Sequence, residues 1–182
     1  IYQHIRSKRV LDIEYKNFKN EIYNYTLHPY FLKQYNNRWF LFGYDSEVKE
    51  NFGIHPLNLP IDRIEEITPT EIDYIPNDNI DFETYFDEII GVTKYANTET
   101  EAVQIKIHPK TAPYIENKPL HPYQKKLKER EDGYFYTSLN VVPNHELYSL
   151  ILSYGPGIEI ILPKTVRDEM QVRVEKMASL YS

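Results

Sequence analysis

The 182-residue chain contains no cysteine, which excludes disulfides, thiolate metal sites and a cysteine nucleophile. That absence fits a reducing compartment, and a cytoplasmic location is expected. No apolar run approaches the roughly 18–20 residues of a membrane span. Glycine is scarce, at 6 residues, and none lies in a phosphate-cradling loop of the P-loop or dinucleotide type. Gly155-Pro156-Gly157 reads instead as a turn between a helix and a strand. No serine occupies a nucleophile elbow. The six histidines, at 4, 28, 55, 108, 121 and 145, lack the paired spacing of a helical zinc site. The acids between 78 and 88 lack the glycine and spacing of a calcium loop, and Asp81, Glu83, Asp87 and Glu88 read as a solvated face. No cofactor, no metal and no catalysis are expected. The chain begins at Ile1 rather than Met, so a longer protein is expected around it.

What is abundant is aromatic: 17 Tyr and 8 Phe, with a single Trp. The net charge of −6 is unevenly spread. Residues 1–44 carry 7 Lys/Arg against 3 Asp/Glu, residues 45–102 carry 3 against 15, and residues 103–182 carry 11 against 9. Between Ile22 and Tyr44 there is no acid at all, but nine aromatics with His28, Lys33 and Arg38. An anionic partner would dock on such a stretch, because single-strand nucleic-acid sites combine stacking rings with cations along the backbone track. In "RWFLFGYD", alternation puts Trp39, Leu41 and Gly43 on one face and Arg38, Phe40, Phe42 and Tyr44 on the other. Trp39 and Leu41 are expected in the core and Arg38 at the rim.

The periodicities divide the chain. "VLDIEY" alternates as a half-buried strand, "IYNYTLHPYFLKQY" is strand-like with a bend at Pro29, and Asn36-Asn37 predicts a tight hairpin into "RWFLFGYD". "NFGIHPLNLP" reads as a shorter strand, and "IDRIEEI" as a turn with a last strand. A small antiparallel barrel over 10–68 follows. Residues 69–100 read as an acidic linker with a short helix, in which Phe82, Tyr85, Phe86 and Ile89 have helical spacing and Gly91 caps. From 101 the order is β-α-β-β-α-β with a terminal helix to 182, a ferredoxin-like arrangement with a hairpin at Asp132-Gly133 and Asn144 as a helix N-cap. The fold class is therefore α+β.

These residues carry a resemblance. "RWFLFGYD", with Trp39-Phe40-Leu41 for a Trp-Tyr-Leu triplet, resembles the signature of the WYL domain. "LDIEY" precedes it, "LHPYFLKQYNNRWFLFGYD" surrounds it and "LPIDRI" closes it with Asp62-Arg63-Ile64; the tail resembles the C-terminal extension that often follows. The resemblance implies an Sm-like barrel that senses a ligand, nucleic acid or nucleotide-like, in a bacterial transcriptional regulator. It implies that the extension helps form a homodimer, that residues 1–9 end a connecting helix, and that duplex DNA is read only by an N-terminal winged-helix domain absent from this chain. It implies a ligand face of Tyr15, His28, Lys33, Arg38 and Arg63. Phe40 stands where the family has Tyr, and Leu57 and Asn58 stand where many members have Arg, which implies a less charged ligand. Read as structure alone, Arg63 would pair with Asp62 or Glu65, and Tyr15 would be plain core. The alternative function is a nucleic-acid-binding accessory or regulatory domain of a nuclease or defence system.

Overall fold

A short helix, α1 (Tyr2–Arg6), leads into β1 (Leu11–Lys16), whose Leu11, Ile13 and Tyr15 turn inward while Asp12 is exposed. In this computed structural model the described residues are 1–45, 56–130 and 132–182. β1 pairs antiparallel with the 14-residue β2 (Ile22–Tyr35), and β2 turns through Asn36 (φ 46°) and Asn37 (φ 61°) into β3 (Arg38–Tyr44). Asparagine tolerates the left-handed region that a tight hairpin requires, as expected from the sequence. The ladder shifts register between Pro29 and Phe31, where proline has no N–H to donate. β4 (Leu57–Pro60), a 3-10 turn (Ile61–Arg63) and β5 (Ile64–Pro69) complete the sheet in the order β4-β3-β2-β1-β5. The earlier part of the strand read over residues 51–60 lies outside the described residues.

The sheet is open where a barrel was expected: among the described residues no ladder joins β4 to β5. Leu11, Ile13, Tyr15, Tyr25, Leu27, Leu41 and Leu59 form its core. Gly43 is required there, because a Cβ would stand 2.6 Å from the His28 carbonyl oxygen. Leu41 is buried as expected, but Trp39 is not: it is 49% exposed. Trp39 lies beside the hairpin, opposite Gln34, where β2 and β3 run past the last core layer at Leu32 and Leu41.

The second face of this sheet is also covered. Phe42, expected on an open face, is fully buried, with the rings of Phe82 and Tyr85 edge-on to it at 5.8 and 6.2 Å. Phe82 stacks on Phe31 at 4.8 Å and 4°. Within residues 69–100 the helical part is the 3-10 turn Tyr85–Glu88. The helical spacing of Phe82, Tyr85, Phe86 and Ile89 does not report one helix face, because the chain folds as two units and these residues divide between them. Ile1–Tyr85 and Val92–Asn97 make the first; Phe86–Gly91 and Thr98–Ser182 make the second.

In the second unit β6 (Glu101–Ile107), α2 (Ala112–Asn117), β7 (Lys128–Glu129), β8 (Phe135–Val141), α3 (His145–Leu152) and β9 (Ile158–Leu162) follow in order, then α4 (Lys164–Ala178). The sheet runs β7-β8-β6-β9, all antiparallel and separate from the first. The hairpin before β8 turns at Gly133 (φ 75°). Asn144 caps α3, its Oδ1 accepting from the Leu147 N–H at 2.8 Å. Val103, Ile105, Ile107, Leu139 and Val141 pack against Ile115, Leu147, Ile151, Val166 and Met170 from the helices. The chain is thus α+β, with two antiparallel sheets.

Candidate ligand site

The end of β1 brings the candidate residues together. Tyr15 pairs across to Tyr23 on β2 and to Ile64 on β5, with a register shift in the β1–β5 ladder at Glu14 and Tyr15. That pairing puts the 3-10 turn of Asp62 and Arg63 beside Tyr15. Tyr15 and Tyr25 have centroids 6.0 Å apart, and Tyr23 stacks on Tyr25 at 6.4 Å and 10°. Burial pushes the Tyr15 hydroxyl above its ordinary pKa, against the pull of the Arg63 and Arg38 guanidinia. Burial also pushes Tyr25 up to about 12. Both rings stay neutral phenols near neutral pH, so they offer hydrogen bonds and faces rather than charge.

Arg38 grips Asp62 with both arms of its fork, Nε to Oδ1 at 3.2 Å and Nη2 to Oδ2 at 2.7 Å. The guanidinium holds the Asp62 carboxyl below its ordinary pKa. Asp62 is therefore spent on Arg38 and not on Arg63, and among the described residues no carboxylate pairs with Arg63. The Arg63 guanidinium lies 3.4 Å over the Phe18 ring, and its Nη1 donates to the Lys16 carbonyl at 3.4 Å. Its Nε is buried with no hydrogen-bond partner. A buried N–H of a permanent cation without an acceptor is costly, and a bound anion would satisfy it.

The other two residues expected on this face lie elsewhere. His28 is 3% exposed; its Nδ1 accepts from the Ile75 N–H at 3.0 Å, and its ring meets Tyr44 and Tyr74, each at 5.9 Å. It belongs to the face covered by residues 74–85, where Tyr74 and Tyr30 donate to the carbonyls of Pro29 and Ile75. Lys33 sits opposite Phe40, on the face alternate to the core residue Leu32. The register shift past Pro29 explains Lys33, which without it would share the face of Tyr25 and Leu27; His28 precedes the shift and simply alternates with the core residue Leu27. Sequence reading missed Phe18, Tyr23 and Tyr25. The alternation Tyr23, Tyr25, Leu27 was the available signal; nothing local pointed to Phe18, an exposed turn residue that meets Arg63 from far along the chain.

Residues 1–69 match the model of the WYL domain, and residues 99–178 match that of the WCX domain. The chain thus carries a WYL domain followed by a WCX domain. It is accordingly a regulatory or sensing domain of the WYL type. None of the curated proteins matches it in sequence. Among solved structures it is similar to a CRISPR Cas-related protein, at 12% identity and a TM-score of 0.55, over 100% of this chain and 50% of that one. It also matches proteasome accessory factor B/C of Arthrobacter aurescens at 17% identity and a TM-score of 0.39, over 100% of this chain and 26% of the other. The chain thus spans about half and about a quarter of those proteins' lengths. No helix among the described residues is long and apolar enough to cross a membrane, and no group of three or more His, Asp or Glu there could hold a metal ion.

Proposed function

We propose that this chain is the ligand-sensing and oligomerisation region of a bacterial transcriptional regulator, non-catalytic and homodimeric, with its anionic ligand held by Tyr15, Arg38 and Arg63. The ligand is a nucleic acid or a nucleotide-like molecule, and duplex DNA is read by another part of the protein. The observation that carries the reading is Arg63: stacked on Phe18, without a carboxylate, and with a buried unpartnered Nε. A guanidinium held on an aromatic face with free donors suits a phosphate beside a stacked base. The tandem of WYL and WCX domains supports the regulator. The sheet order β4-β3-β2-β1-β5 supports an opened Sm-like sheet, and β7-β8-β6-β9 with its interleaved helices supports a ferredoxin-like second unit.

A second reading is an accessory domain of a nuclease or defence system, favoured by the fold shared with a CRISPR Cas-related protein. The same site would serve either. The test is a titration of short single-stranded DNA, RNA and mononucleotides against wild type, Arg38→Ala and Arg63→Ala, with thermal melts alongside. Each substitution is expected to weaken binding by about 1.5–3 kcal/mol, the scale of hydrogen bonds to a charged group, with the melt unchanged. Wild-type affinity in Arg63→Ala overturns the site.

A further inference from the structure

The second sheet buries one face and leaves the other uncovered within its own unit. Val103, Ile105 and Ile107 of β6 and Leu139 of β8 go under the helices, so their alternates Gln104, Lys106, Tyr136 and Ser138 point outward. The ladders align these outward residues in rows. Lys106, Tyr136 and Lys128 lie directly across β6, β8 and β7, and Gln104 lies opposite Ser138. Glu129, the next residue on β7, alternates to the opposite side, across from Phe135.

Along this face runs a groove of about 220 Å³ lined by Lys125, Lys126, Lys128, Arg130 and Tyr136, with Gln104 and Ser138 among its remaining walls. Among the described residues none of these four cations is in an ion pair with a carboxylate. Nor do they hang on a loose strand. The Lys125 N–H donates to the Ser138 carbonyl at 3.2 Å, the Thr137 hydroxyl donates to the Lys125 carbonyl, and the Arg130 N–H donates to the Tyr134 carbonyl at 3.0 Å. Of the acids near the row, Asp132 is already engaged, accepting from the Tyr136 hydroxyl at 2.7 Å and from Lys106 at 3.0 Å, while Glu129 shares a shallow pocket with Arg130, Asp132 and Tyr136. Those bonds fix the Tyr136 ring. The Arg130 guanidinium lies 3.8 Å over that ring, and the Lys106 ammonium lies 4.0 Å over the Tyr134 ring.

We propose that this outer face of β6, β8 and β7 binds a single-stranded polynucleotide, with Lys125, Lys126 and Lys128 on the phosphates and the Arg130–Tyr136 stack beneath a base. Four exposed cations without acid partners, set along one groove, suit an anion of repeating charge better than one isolated phosphate. The stacked guanidinium and ring present a planar surface, which every base matches once it is out of a duplex. Gln104 and Ser138 supply donors and acceptors to base edges beside that plane. Four-stranded sheets with aromatics on the outer face of a central strand bind RNA single strands in this manner. The surface shares no residue with the site around Arg63 and goes beyond the function proposed for it.

The experiment is fluorescence anisotropy of the full chain with labelled oligo(dT), oligo(U) and a duplex of equal length, at two salt concentrations. The variants are Lys128→Glu/Arg130→Glu, Tyr136→Leu and Arg63→Ala, each checked by thermal melting. Both single strands are expected to bind more tightly than the duplex. The charge reversal is expected to lower affinity by tenfold or more and to flatten the salt dependence, and Tyr136→Leu to lower it several-fold. Photo-crosslinking of a halogenated oligonucleotide is expected in residues 125–138. If single strands bind, Arg63→Ala loses them and the charge reversal does not, the sheet face is refuted and the Arg63 site stands. If the reverse holds, the Arg63 site loses its polynucleotide and the sheet face stands. Equal affinity for duplex, or no binding of either strand, overturns the inference.

Discussion

The two sheets treat their second faces in opposite ways. In the first unit, β3 has apolar residues on both sides, and both sides are covered: Leu41 by the sheet's own core, Phe42 by Phe82 and Tyr85. In the second unit, β8 has apolar residues on one side only, and its other side carries Tyr136 and Ser138 beside Lys106, Lys128 and Gln104. The aromatic-rich strand therefore has the less available surface. Aromatic density alone does not mark a binding face, because a chain with Phe82 and Tyr85 to spare can cover it. Cations that no acid neutralises are the better indicator, and Arg63 and the Lys125–Arg130 run share that property in separate units.

The largest expected effect tests whether residues 74–85 are a true cover. Phe42→Ala should destabilise the first unit by about 3–5 kcal/mol, the range for losing a fully buried phenyl. Phe82→Ala removes the ring that stacks on Phe31 and meets Phe42 edge-on. Because these rings touch, the double variant should cost less than the sum of the two singles by about 0.5 kcal/mol or more in chemical denaturation. Strict additivity would mean that the cover and the sheet are energetically independent, and the contrast between the two units would collapse.

A smaller effect follows from His28. Burial holds its imidazole below the ordinary value of 6.5, against the opposing pull of Asp45. The unfolded chain therefore binds the proton more readily than the folded one, so stability rises with pH through this window. The contribution is fully present above about pH 6.5 and is lost as pH falls through the depressed folded value. His28→Gln keeps an acceptor for the Ile75 N–H and removes the titration. Denaturation midpoints of wild type should fall between pH 7.5 and 5, and those of the variant should fall less. His121, likewise depressed by burial in the second unit, accounts for part of the remainder.

Much of the fold could be read from local chemistry. Asn36-Asn37, Asp132-Gly133, the Asn144 cap and the alternation of β1 and β6 each declare themselves within a few residues. What could not be read was long-range. The cover over Phe42 comes from forty residues on in the chain. The candidate site was legible in part for the same reason. Arg38, Arg63 and Tyr15 lie near strand ends that the ladder brings together. Lys33 lies past the Pro29 bulge, and no alternation count survives an unannounced register shift, whereas His28 precedes it and alternates with the core residue Leu27. Phe18 meets Arg63 across 45 residues of sequence, with no local pattern to connect them.

Trp39 gives the smallest expected effect and the sharpest discrimination between reading and structure. Had it filled the core, Trp39→Ala would cost about 3–5 kcal/mol. At 49% exposure, beside the hairpin and opposite Gln34, it loses only part of its apolar contact on truncation. Substitutions away from buried features stay within about 0.5 kcal/mol, and the half of the ring that is covered raises this to about 1 kcal/mol. Its fluorescence provides the check without any mutation, because it is the only tryptophan. A half-exposed indole should emit to the red of a buried one and be quenched by iodide in the native state. It should also respond little when Phe42→Ala loosens the sheet, since Phe42 faces the cover and Trp39 lies past the last core layer. A blue-shifted, unquenched emission would return Trp39 to the interior and require a sheet that closes around it.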